Sequence, residues 1–158
     1  MSSRVLSQWD DKTLLHTAID DLESIVWVLF YEILASSEKS TLTKQESQSL
    51  RHLLSNNLEQ VEYCKVAIRS NLYLTFIPSH WSGPIKTYKK LLMPLFGLTI
   101  DASNAVQRCL KRLQRSNCHP GSTKYWEGLD TVCDEYFKKY INAILEYLDD
   151  DEEYDSSS

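Results

Sequence analysis

The sequence predicts an all-α fold of about six helices around a buried central helix, and three observations carry that expectation. Four glycines and four prolines in 158 residues are too few for the tight turns of a sandwich or barrel. Apolar residues recur at three- and four-residue spacing along most of the chain, and no pair of segments alternates convincingly as strands do. The third observation is the stretch 17–36, TAIDDLESIVWVLFYEILAS, in which Glu32 is the one charged residue between Ile25 and Leu34. A helix of that composition is apolar on nearly every face, which implies burial on all sides.

The start of this helix is marked by Thr17 three residues before Asp20, and Asp20 three before Glu23. Carboxylates at those positions meet the free amides of a first turn, which places the helix at roughly 18–36. A membrane span would need ~20 apolar residues, and Asp20, Asp21, Glu23 and Glu32 interrupt the run. Before it, residues 1–16 mix polar side chains with Val5, Leu6, Trp9, Leu14 and Leu15 and read as a fraying end.

After a polar connection over 38–42, Thr43 and Glu46 have capping-box spacing, and Leu50, Leu53, Leu54 and Leu58 predict an amphipathic helix. Asn56-Asn57 ends or kinks it, and Leu58, Val61, Cys64 and Ile68 carry a second helix to about Ser70. Residues 71–83 read as an ordered loop packed on the core. Pro84 suits a first helical turn. Ile85, Tyr88, Leu91, Leu92, Leu95 and Phe96 continue from it until Pro94 kinks or ends the helix. A further helix begins near Asp101 or Ser103 with Ala105, Val106, Cys109, Leu110 and Leu113 on its apolar face. The turn 116–121 precedes a last helix, Thr123 to about Leu148. Its expected apolar side is Trp126, Leu129, Cys133, Tyr136, Phe137, Tyr140, Ile144, Leu145 and Leu148.

With 42% hydrophobic and 25% charged residues the chain is globular rather than disordered. It is read as one domain over 1–148 and a disordered acidic tail over 149–158. That tail holds six acidic residues between Asp149 and Asp155, so the remainder of a chain of net charge -5 stands at +1. Cys64, Cys109, Cys118 and Cys133 sit singly, without the paired spacing of a zinc site, and read as free thiols filling the core. No cofactor or metal is expected. Arg4, Asp10, Asp11 and Lys12 interrupt any signal-peptide pattern, and the expected location is cytoplasmic or nuclear.

The segment HTAIDDLESIVWVLFYEIL, with His16, Asp20, Asp21, Leu22, Glu23 and Ser24, resembles the signature of the fungal-type protein kinase domain family. In that family a His and a (D/H)DLES motif open a long apolar helix, similar to the central helix of a kinase C-terminal lobe. Glu23 and Val26 stand where ordinary kinases have Trp and Gly. Upstream, MSSRVLS is similar to the stretch after the family's activation loop, with Arg4 in place of a Glu. The resemblance implies the helical part of a kinase C-lobe, in which the residue matching Asp21 anchors the catalytic loop. No such loop precedes it here, so Asp21 reads as a helix-capping residue.

The Gly-rich loop, strand Lys, catalytic-loop Asp and Asn, and Asp-Phe-Gly that phosphoryl transfer needs are all missing from this chain. The expectation is therefore a non-catalytic protein-interaction module that competes for kinase partners or substrates. The alternative is the C-terminal fragment of a serine/threonine kinase cut before its catalytic residues. A third reading rests on Lys86, Lys89, Lys90, Arg108, Lys111, Arg112 and Arg115, seven bases against the single acid Asp101, as a candidate patch for phosphate or nucleic acid. Two solvated helix faces explain those bases more simply. A protein partner is expected and a membrane is not; a homodimer stays open.

Overall fold

A computed structural model describes residues 17–37, 42–73, 83–120 and 122–155. Among them are six helices and no strand. They are α1 (Ala18–Ala35), α2 (Lys44–Leu53), α3 (Leu58–Tyr73), α4 (Pro84–Thr87), α5 (Lys89–Arg115) and α6 (Thr123–Asp155). The expected fraying end over 1–16 with its His16, the centre of the loop over 74–82, and Ser156 to Ser158 lie outside the described residues.

The sequence of α1 fixes both its start and its place. The Thr17 N–H and hydroxyl both donate to Asp20 Oδ2, at 2.8 and 3.0 Å, and Asp20 is 2% exposed. Capping therefore falls on Asp20, while Asp21, the residue expected to cap, is exposed one position on. Asp20→Ala strips the acceptor from a buried N–H, and a loss of about 1–2 kcal/mol is expected in urea unfolding.

Helix α1 packs against α2, α4, α5 and α6, and α5 against α1, α3, α4 and α6, so these two helices together form the centre of the fold. Its inward face is Ile19, Leu22, Val26, Trp27, Phe30, Ile33 and Leu34. Trp27, Phe30 and Phe96 of α5 meet edge to face, with centroids 4.7 to 6.0 Å apart. Burial on all sides does not hold, however, because Ile25 and Val28 are 60% and 59% exposed. They lie with Asp21 and Glu32 on one stripe, and the neighbouring helices pack on the other faces.

The longest departure from the sequence pattern is α5, a single 27-residue helix that passes through Pro94 where an end or a kink was expected. Pro94 stands in the second turn, so its missing N–H forfeits one bond, to the Lys90 carbonyl, close to the helix start. Against that single loss stands one unbroken buried stripe: Leu91, Leu92, Leu95, Phe96, Thr99, Ala102, Val106, Cys109 and Leu113. Pro94 itself is exposed. Pro94→Ala restores the N–H without touching that stripe, and a gain of about 1 kcal/mol in chemical denaturation is expected.

Helix α5 ends in a Schellman motif. Asn117 has φ 51°, the Cys118 N–H donates to the Leu113 carbonyl at 3.0 Å, and the Asn117 N–H donates to that of Gln114 at 3.1 Å. The chain then reverses, and α6 runs back along α5, with the Cys109 thiol donating to the Gly128 carbonyl at 3.3 Å.

Two expectations for α6 need correction. The helix continues to Asp155, past the end expected near Leu148, since each added residue closes one more backbone bond. Its buried side is Tyr125, Leu129, Tyr136 and Tyr140, whereas Trp126, Phe137, Ile144, Leu145 and Leu148 are 36 to 53% exposed. Apolar residues follow two stripes of this helix, and α5 takes the tyrosine side.

Candidate functional site

Four charged residues, Glu23 of α1 and Glu62, Lys65 and Arg69 of α3, meet beside Trp27. Glu23, 4% exposed, accepts the Trp27 indole N–H at 3.1 Å across one helical turn. Arg69 of α3 reaches Glu23 Oε1 at 3.8 Å and Glu62 Oε1 at 3.9 Å. Lys65, 4% exposed, stands one turn from both of its α3 neighbours and holds its ammonium 5.0 Å from the centre of the Trp27 ring. Two carboxylates and two cations thus share one cluster, buried at Glu23 and Lys65 and part-exposed at Glu62 and Arg69. Burial pushes the Lys65 amine down to about 8, against the opposing pull of Glu23 and Glu62.

Beside this cluster an open cleft of about 360 Å³ is walled by Trp27, Val28 and Tyr31 of α1, Leu54 just after α2, and Leu58 and Lys65 of α3. The turns that make it are built locally. Leu54 follows α2, whose start is the expected capping box, with the Thr43 N–H donating to Glu46 Oε2 at 2.7 Å. Asn57 Oδ1 accepts the Gln60 N–H at 3.2 Å and starts α3. Val28, Leu54 and Leu58 are 41 to 61% exposed, so the mouth of the cleft is apolar and open to solvent. One or two apolar side chains fit such a space, and the buried charges set a polar floor beneath it.

The family-signature residues divide in two. Asp20, Leu22 and Glu23 face inward, the first as a cap and the last as part of the charged cluster. Ser24 donates to the Asp20 carbonyl at 2.8 Å, and Asp21 faces out beside Ile25. The basic residues are also divided. Arg108, Lys111, Arg112 and Arg115 share one exposed face at the end of α5, whereas Lys90 lies roughly 27 Å away along the helix. Lys86 and Lys89 belong to that distant end, so the seven bases form two groups rather than one patch.

All four cysteines are free thiols. Cys64 lines a second hollow with His52, but its thiol donates to the Ser49 carbonyl at 3.7 Å and burial pushes its pKa up. A thiol held protonated in this way fills space rather than attacks. Among the described residues no three His, Cys, Asp or Glu side chains gather as a metal would require, and no helix is long and apolar enough to cross a membrane.

Lys65 and Arg69 are the site residues that the sequence pattern conceals. The signal that exposes Lys65 is its register: it falls four residues after Val61 and three before Ile68, on the side of α3 that otherwise packs inward. Comparison with known proteins finds no match among family models, curated proteins or solved structures.

Proposed function

We propose that this chain is a non-catalytic protein-interaction module, resembling a kinase C-terminal lobe, that docks an apolar segment of a protein partner on the face formed by α1 and the α2–α3 turn. The observation that carries this reading is the exposure of Val28, Leu54 and Leu58 around an open cleft. Large apolar side chains concentrated around a cavity, rather than scattered singly, mark interaction surfaces. The competition it implies is testable with a full-length fungal-type protein kinase and its protein substrate. Adding the purified chain lowers the rate of substrate phosphorylation, and the Val28→Gln/Leu54→Gln variant loses that effect. A rate unchanged by the wild-type chain overturns the competitive role.

The position of Asp21 favours a second reading. In a kinase its counterpart holds the catalytic loop, and here Asp21, Ile25 and Val28 lie exposed on one stripe. That stripe is where the rest of a kinase would rest, so the chain also suits the C-terminal part of one. Transcript sequence in frame upstream of Met1 decides between the readings. A histidine-arginine-aspartate loop and an Asp-Phe-Gly motif there would remove the stand-alone module.

A further inference from the structure

The second stripe of α6 has no use in the cleft. Phe137, Ile141, Ile144 and Leu148 recur at four, three and four residues, with Leu145 beside them, and each is 36 to 53% exposed. This is the spacing of a helix-packing seam about two heptads long. Helix α5 packs on another side of α6, where the Gly128 carbonyl accepts the Cys109 thiol at 3.3 Å and the Leu113 side chain lies against Gly128.

Charge decides what fits the seam. Helix α6 carries eleven acidic residues and three basic ones. Asp130 and Asp134 precede the stripe in line with it, and six acids between Asp149 and Asp155 follow it. A second copy would bring an equally acidic helix against this one. In a parallel pairing every residue meets its own kind, and in an antiparallel pairing Asp134 meets the acidic end of its partner. A basic helix meets attraction from the acids that flank the same apolar stripe in the sequence.

We propose that the outer face of α6 is a docking site for a basic amphipathic helix of a protein partner, its apolar residues in the seam and its Lys or Arg residues against the acidic ends. The probe is a dye-labelled synthetic peptide of ~18 residues, about five helical turns, with Leu at three- and four-residue spacing and Lys elsewhere. A scrambled peptide of equal composition is the control, and binding is read by fluorescence anisotropy at low and high salt. The amphipathic peptide is expected to bind at least ~10-fold more tightly than the scrambled one, and more weakly as salt rises. The variant Ile141→Gln/Leu145→Gln/Leu148→Gln, which keeps every charge and changes exposed positions only, is expected to lose that advantage. Equal binding of both peptides would reduce the face to a charged surface and overturn the proposal. So would an advantage that survives in the triple variant. A wild-type chain that sediments as a dimer while the triple variant is monomeric would give the seam to a second copy, and would also overturn it.

Discussion

Replacing Phe30 with alanine is expected to cost about 3–5 kcal/mol, the largest loss available from a single side chain of α1. Phe30 is fully buried, and its ring stands edge-on to both Trp27 and Phe96, at 6.0 and 5.9 Å between centroids. Alanine leaves a cavity bounded by two rings whose helices are pinned elsewhere, so the gap closes only in part. Domains of this size are stable by ~5–15 kcal/mol, and the variant would sit near the lower limit of folding. Urea unfolding followed by circular dichroism reads the change as a lower midpoint at unchanged slope. A loss below about 1 kcal/mol would mean that α1 is not at the centre of the core.

The second large effect belongs to Lys65 and appears only as pH is raised. Its amine is pushed down to about 8 from an ordinary value of 10.5. Below pH 8 both folded and unfolded chains hold the proton, and the folded state carries the full cost of a buried ammonium. Between pH 8 and 10.5 the unfolded chain still holds the proton that the folded chain has released, so the native state gains stability as pH rises. The gain amounts to about 3 kcal/mol across that window, at most about 1.4 kcal/mol per pH unit. Lys65→Met removes the titration. Stability measured from pH 7 to 10 is therefore expected to rise in the wild type relative to the variant, whichever is the more stable at pH 7. A difference that stays flat with pH would mean that Lys65 is solvated and that the charged cluster against Trp27 does not form.

Much of the architecture is legible in the residues because local chemistry and packing agree there. Thr17 with Asp20, Thr43 with Glu46, Asn57 before Leu58, and Asn117 after α5 all stand at helix ends, where capping chemistry is written into a few neighbours. Where packing overrules local preference the sequence misleads. Pro94 signals a break, but one backbone bond near a helix start weighs less than a buried stripe running from Leu91 to Leu113. Tyr136 and Tyr140 are buried while Phe137 and Leu148 are exposed, because which of two apolar stripes faces inward depends on where α5 lies. The candidate site is concealed for a related reason. Composition alone does not single out Lys65 and Arg69, and only the tertiary structure brings their long side chains to Glu23 and Trp27.

The exposed face around Val28 and Leu54 has a consequence that separates surface from core in one experiment: the thermal unfolding of the Val28→Gln/Leu54→Gln variant beside the wild type, followed by circular dichroism. Both side chains are about 60% exposed. If they serve a partner rather than the fold, the midpoint stays within about 2–4 °C of wild type, the shift of roughly 1 kcal/mol in a domain of this length. The proposed competition with a kinase is expected to be lost all the same. A midpoint that collapses as far as that of Phe30→Ala would make the cleft part of the core and contradict its role as a docking surface.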